Sequence, residues 1–173
     1  MLSVLFNPNG RIGPRTFWRG IVLLLGAMII INILSAYAGP VGQMLGLLTL
    51  AAPYCYLCVY GKRLHDSGKS AWFFLLFFIG YFILEGVFQT VLMPFLSPAA
   101  SVLQDDMTLL MEQGQWMEAL AYAPEIAKAS LMTALVSLIL ANIVLGFLAA
   151  RLKSDPGPNE YGPPEGAAVS DPF

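Results

Sequence analysis

Charge is what this sequence has least of. Of 173 residues, nine are basic and eleven acidic, 12% in all. That is about half the usual quarter for a soluble domain. A net charge of -2 with so few basic residues excludes a nucleic-acid binder. Two cysteines are too few for a secreted disulfide scaffold. A single histidine and one cysteine pair leave no set of ligands for a metal, and no cofactor motif is present. What fills the chain instead is apolar: 57% hydrophobic residues and a mean hydropathy of +0.69. That composition excludes a disordered chain, and a soluble domain of this size has too little polar surface to cover so much apolar area. An integral membrane protein remains.

A spanning helix needs about 20 mostly apolar residues, because the hydrocarbon core is about 30 Å thick and each residue rises about 1.5 Å. Four stretches qualify: Trp18–Ala38, Val41–Tyr60, Trp72–Met93 and Leu131–Ala150. None alternates with the period of two that a membrane β-strand requires. Repeated glycine and the internal Pro53 are compatible with helix in a membrane. The expected fold is an all-α bundle of four transmembrane helices. Residues 1–153 form the membrane domain, and 154–173 a Pro/Gly-rich tail.

Orientation follows from Lys and Arg. Arg11, Arg15 and Arg19 precede or open the first segment. Lys62, Arg63 and Lys69 lie between the second and third, and Arg151 and Lys153 follow the fourth. The long loop 94–130 holds only Lys128 against Asp105, Asp106, Glu112, Glu118 and Glu125. Eight of the nine basic residues therefore fall on one side, and both termini are expected in the cytoplasm. A signal peptide competes for the first segment, since Ala36-Tyr37-Ala38 has a small-x-small pattern. The long basic leader and the spanning length of the apolar run favour retention.

Cys55 and Cys58 have C-x-x-C spacing, which serves redox or metal sites elsewhere. Here both lie inside an apolar helix with no second pair, so they are expected to be buried packing residues. Gly68-Lys69-Ser70 has the ending of a phosphate-binding loop. The glycine that loop needs at position 63 is Arg63, and no strand precedes it, so nucleotide hydrolysis is excluded.

The stretch Lys62-Arg63-Leu64-His65-Asp66-Ser67-Gly68-Lys69-Ser70-Ala71-Trp72 joins the second and third segments. Gly68 suits the left-handed residue that ends a helix, and Ser70 suits the cap of the next. Lys62 and Arg63 are four and three residues before Asp66, within reach on one helical face. One reading is a capped hairpin whose positive charge fixes topology. The other is a small polar site of an acid, an imidazole and three cations, suited to an anionic lipid headgroup.

Three motifs together resemble a known family. Gly10-Arg11-Ile12 with Phe17-Trp18, then Lys62 through Trp72, then Pro156-Gly157-Pro158-Asn159-Glu160-Tyr161-Gly162-Pro163 are similar to the signatures of the YhaH-like bacterial inner-membrane family, domain of unknown function eight-hundred-and-five. The resemblance runs in order over nearly the whole chain. It implies a small bacterial inner-membrane protein with no established reaction, in which Arg11, Arg63, His65, Asp66, Trp72, Asn159 and Gly162 are used. It also supports retention of the first segment. Two features depart from it: Gly13-Pro14 stands where relatives carry a denser basic run, and the acidic loop resembles an insertion.

All three motifs fall on the expected cytoplasmic side. The candidate polar face is Arg11, Lys62, Arg63, His65, Asp66, Lys69, Trp72 and Asn159. Its expected geometry is a leader, a hairpin and a tail turn folded together. Asp66 would accept from Arg11 or Arg63, and the Asn159 amide would cap backbone.

A second candidate lies within the membrane. Glu85 is 13 residues past Trp72, about 20 Å deep at 1.5 Å per residue. A bare carboxylate there costs about 2.5 kcal/mol or more, so it must be neutral, paired or wetted. Gln89 follows one turn later, and Asn32 has a similar depth on the first segment, so Glu85, Asn32 and Gln89 form a candidate intramembrane site. Gly42 and Gly46 form a G-x-x-x-G pair, and Ala134, Asn142, Gly146 and Ala150 a small-residue stripe broken by Leu138. Both patterns serve intramolecular packing and self-association equally. In the acidic loop, Leu103, Met107, Leu110, Met111, Met117 and Leu120 recur near helical spacing. A short amphipathic outer helix, interrupted at Gly114, is expected there.

The sequence thus leads to a non-enzymatic inner-membrane protein. Its partners would be the bilayer, anionic headgroups, and a second copy or another membrane protein. A proton- or cation-coupled transporter using Glu85 is the alternative. A lipid-acting enzyme using His65 and Asp66 comes third, since adjacent residues rarely share a reaction centre.

Overall fold

The computed structural model describes residues 2–166, and among them the regular structure is helical throughout. Four stretches are long and apolar enough to cross a membrane: Pro14–Tyr37, Gly39–Asp66, Ala71–Leu96 and Leu131–Ala150. The protein is accordingly a multi-pass membrane protein in architecture. Met1 and residues 167–173, the last part of the expected tail, lie outside the described residues.

The chain opens with a short helix, α1 (Leu2–Phe6), that the apolar pattern did not announce. Helix α2 (Pro14–Tyr37) starts four residues before the apolar run does. Pro14 suits that first turn, since its missing N–H has no intrahelical partner there in any case. The second span is three pieces: α3 (Gly39–Gly46), a 3-10 turn (Leu47–Ala51) and α4 (Ala52–Asp66). Pro53 explains the break. It stands in the first turn of α4, where it interrupts no established α-helical bond. Helix α4 then runs six residues past the expected end at Tyr60, so Lys62 to Asp66 are helical and only Ser67–Ser70 turn. Gly68, at φ +67°, ends α4, and the Ser70 hydroxyl accepts from the Trp72 N–H at 3.4 Å.

A 3-10 turn (Ala71–Phe73) leads into α5 (Phe74–Leu96). The acidic segment that follows is helical in three pieces, α6 (Pro98–Glu112), α7 (Trp116–Ala121) and α8 (Ala123–Ala129). Gly114, at φ +77°, separates the first two. Helix α9 (Leu131–Ala150) completes the spans.

The chain divides into two compact units. The first comprises Met1–Gly26, Leu50–Gly80 and Asn142–Phe173. Its core is aromatic. Phe17, Ile21, Val59, Tyr60 and Leu64 are all buried, and the Tyr60 ring lies 5.1 Å from both Phe17 and Phe77. Gly146 of α9 lies under the Trp18 indole, so close that a Cβ there would stand 2.9 Å from the ring. Cys55 and Cys58 are buried and unbridged. Lys62 reaches away from its helix to α1, where Nζ donates to the Ser3 and Val4 carbonyls at 2.6 and 3.2 Å.

The second unit comprises Ala27–Thr49 and Tyr81–Ala141. The G-x-x-x-G pair finds its use here. Gly42 and Gly46 let α3 lie against the end of α2, with Gly42 at the Leu34 backbone and Gly46 at Ser35. The Ser35 hydroxyl seals that approach by donating to the Gly42 carbonyl at 3.1 Å. Buried Ala100 and Ala119 allow close packing among α6, α7 and α8. The Thr133 hydroxyl ties α9 to the start of α6 by donating to Ser97 Oγ at 2.8 Å.

Candidate functional site

Two arginines and one aspartate form the centre of the first unit. Arg11 comes from the leader and Arg63 and Asp66 from the last turn of α4, three residues apart and hence on one face. Asp66 Oδ1 accepts from Arg11 Nη2 at 3.1 Å and Nε at 3.3 Å, and Oδ2 accepts from Arg63 Nη1 at 2.5 Å. The three side chains are 1%, 0% and 4% exposed, in the order Arg11, Arg63, Asp66. Burying two guanidiniums is costly unless every donor is met.

Every donor is met. Arg63 caps the end of α9: Nε donates to the Ala149 carbonyl at 3.2 Å, Nη2 to Ala150 at 3.1 Å and also to Leu152, and Nη1 to Ser154 Oγ at 2.9 Å. The last carbonyls of a helix lack intrahelical partners and carry the negative end of its dipole, so a cation with five fixed donors suits that place. Arg11 does the same for the tail. Its Nη1 donates to the Gly157 carbonyl at 2.7 Å and Gly162 at 3.2 Å, and its Nη2 to Asp155 at 2.6 Å. The single carboxylate thus holds together two cations that between them gather the leader, α4, α9 and the tail.

The tail folds back as a small built turn. Asn159 and Gly162 exchange backbone hydrogen bonds at 3.1 and 2.9 Å, which the positive φ of Gly162 permits. The Asn159 Oδ1 accepts from the Tyr161 N–H at 3.0 Å. Its Nδ2 donates to the His65 carbonyl at 3.0 Å, near the end of α4, and to Asp155 Oδ2 at 3.3 Å. The Asp155 N–H in turn donates to the Asp66 carbonyl at 2.7 Å.

The Tyr161 ring lies flat on the His65 imidazole, centroids 3.8 Å apart and planes 4° from parallel. The hydrogen bond that the Tyr161 phenol donates to Glu160, with burial and charge repulsion adding to it, pushes that phenol up, so it is neutral at neutral pH. His65 Nδ1 stands 3.1 Å from the Gly10 carbonyl, which can only accept, so Nδ1 carries a hydrogen. At the start of α2, Glu165 accepts from the Gly13 N–H at 2.6 Å and the Thr16 hydroxyl at 2.5 Å, a carboxylate at the positive end of a helix.

Of the eight residues expected on the polar face, five meet: Arg11, Arg63, His65, Asp66 and Asn159. Lys62 is turned to α1. Lys69 is exposed and lies 5.9 Å from the centroid of the Phe73 ring, and Trp72 is 79% exposed. Sequence spacing put these three with the rest, but their side chains leave the helix and turn in other directions. Asp155, Tyr161 and Glu165 were missed. Tyr161 lay inside the third motif, and that was the one signal available for it. The carbonyls of residues 149–162 that take the guanidinium bonds carry no side-chain signal at all.

In the second unit, Gln89 Nε2 donates to Glu85 Oε1 at 3.2 Å, one turn apart on α5. Asn32 does not join them. Its amide donates to the Met28 carbonyl of its own helix at 2.8 Å. Equal depth along two helices fixes height but not the direction a side chain faces. No group of three His, Cys, Asp or Glu side chains among the described residues could hold a metal ion.

No curated protein and no solved structure matches the chain. The family described as "Protein of unknown function (DUF805)" does match, over residues 5–163, from α1 to the end of the tail turn. The protein belongs to the DUF805 family.

Proposed function

We propose that the protein is a non-enzymatic component of the bacterial inner membrane, with both termini cytoplasmic. Its buried polar cluster is a fastener, and its exposed cations bind anionic lipid headgroups. The observation that carries this reading is the complete use of the Arg11 and Arg63 donors within the chain. A cluster with no spare donor holds a structure together rather than a substrate. Both Asp66 oxygens accept from guanidinium and His65 Nδ1 faces a carbonyl, which favours this reading over acid–base chemistry on a lipid.

The cations outside the cluster at the span ends expected to be cytoplasmic are Arg15 and Arg19 on the first turns of α2, Lys69 in the turn, and Arg151, over the Phe147 ring, and Lys153 after α9, all exposed. They flank span ends together with the exposed indole of Trp72, the arrangement that anchors proteins at a membrane–water interface. Each contributes about 1 kcal/mol at an anionic surface. Replacing all five with Gln leaves the buried cluster untouched. Lipid mass spectrometry of the purified protein is expected to show several-fold less anionic lipid retained, with zwitterionic lipid unchanged. Unchanged anionic lipid would overturn the lipid reading in favour of a protein partner.

A further inference from the structure

Helix α7 buries one residue and exposes an apolar face. Ala119 is fully buried where α7 packs against α6 and α8. Trp116, Met117 and Leu120 are 60%, 81% and 56% exposed. At about 100° per residue these three fall within one third of the helix circumference, and Glu118, the one charge of α7, points away from them. An apolar face of this kind marks an interaction surface.

The roots of the acidic segment point to what covers it. A single residue, Ser97, joins α5 to α6, and a single residue, Ser130, joins α8 to α9. Ser97 Oγ accepts from Thr133 of α9 at 2.8 Å, so the two roots stand together. Both spans keep an apolar, exposed surface up to these joints: Phe95 at the end of α5 is 78% exposed, and Met132 at the start of α9 is 59% exposed. Ser97 also turns the chain back. Ser101 and Gln104, in the first two turns of α6, line one cavity with Gln89, Thr90 and Met93 of α5, so α6 leans over the flank of α5 instead of prolonging its axis. Helices α7 and α8 lie on α6. The segment thus stays beside the span ends, and the lipid-facing surface of α5 and α9 continues into it.

We propose that α7 is an interfacial anchor: Trp116, Met117 and Leu120 insert into the headgroup–acyl boundary of the bilayer at the end where α5 leaves it and α9 enters, with Glu118 directed to water. That layer accepts an indole readily, and it takes the apolar face of an amphipathic helix lying in its plane. The exposed acids of the segment, Asp105, Asp106, Glu112 and Glu118, disfavour an anionic surface, so phosphatidylcholine is the fitting probe. The anchor does not depend on the exposed cations of the first unit.

The test is spin-label accessibility in the full chain, in phosphatidylcholine nanodiscs. Met117→Cys and Glu118→Cys are labelled one at a time in a Cys55→Ala, Cys58→Ala background; both sites are exposed, so neither label disturbs packing. Oxygen concentrates in the bilayer and a nickel chelate stays in water. The ratio of oxygen to nickel collisions is expected to be at least fivefold higher at 117 than at 118. Equal ratios at the two sites would overturn the proposal. A label at 117 shielded from both reagents would also overturn it, in favour of a protein cover such as a second copy. A second measurement needs no label. Trp116→Gln with Leu120→Gln removes the apolar face and leaves Ala119 in place. Hydrogen exchange over residues 116–121 in the nanodisc is expected to rise at least fivefold. An unchanged rate, the outcome for side chains that stand in water, would overturn the anchor.

Discussion

Replacing Asp66 with Asn removes one charge from a place where nothing else can supply it. The carboxylate is 4% exposed and, among the described residues, is the only anion bonded to both Arg11 and Arg63, which are themselves sealed from solvent. Asn keeps one acceptor oxygen. It points an N–H at a guanidinium in place of the other and leaves two cations facing each other across a neutral group. Removing one partner of a buried ion pair costs about 3–5 kcal/mol. Asn still offers one acceptor, so about 3 kcal/mol is expected for Asn and a value nearer the upper end for Ala. At about 1.4 kcal/mol per factor of ten, the ratio of folded to unfolded protein falls at least a hundredfold. The measurement is reversible unfolding of the full chain in mixed micelles, followed by the fluorescence of Trp18 and Trp72. Arg63→Met, alone and combined with Asp66→Asn, completes a double-mutant cycle. The single Arg63 change should cost more than the ion pair alone, because the α9 carbonyls lose their donors as well. A cost below about 1 kcal/mol for Asp66→Asn, the value of an exposed pair, would refute the reasoning.

Asn159→Ala removes donors to the His65 carbonyl and Asp155 and is expected to cost about 1–2 kcal/mol, seen as faster hydrogen exchange at Asp155 and Gly162. Gly146→Ala drives a methyl into the Trp18 indole and should destabilise by about 1–3 kcal/mol, an effect that Trp18→Leu relieves in the double variant. Lys62→Met frees the Ser3 and Val4 carbonyls; exchange should rise over Leu2–Phe6 while the Asp66 cluster keeps its protection.

How much of this was legible in the sequence differs by element. The four spans were, because an apolar run of spanning length has few other uses. Their ends were not. Helix α4 continues to Asp66 although its last residues are polar, because Lys62 and Arg63 find carbonyls in α1 and α9 that local pattern does not reveal. Helix α1 is too short to show a period and is held by Lys62. The meeting of Arg11, Asp66 and Asn159 was legible as three motifs that the charge pattern puts on one expected side. The role of Arg63 as a cap for α9 was not, since its partners are backbone oxygens. Asn32 was matched to Glu85 by depth alone, and depth does not fix azimuth. The glycine pair of α3 was legible as a site of close approach, and the structure supplies its partner, the end of α2.

The central claim is that the tail is fastened to the membrane domain through Arg11, Arg63 and Asp66. Trypsin at Lys153 tests it directly. Lys153 is exposed, but the residues on either side are held, Leu152 and Ser154 by Arg63 and Asp155 by Asp66 and Arg11. Cleavage therefore requires the fastener to open. In full-length protein in nanodiscs, the account predicts that the bond after Lys153 resists trypsin in the wild type and is cut at least a hundredfold faster in Asp66→Asn. Rapid cleavage of the wild type, at a rate Asp66→Asn leaves unchanged, would contradict it.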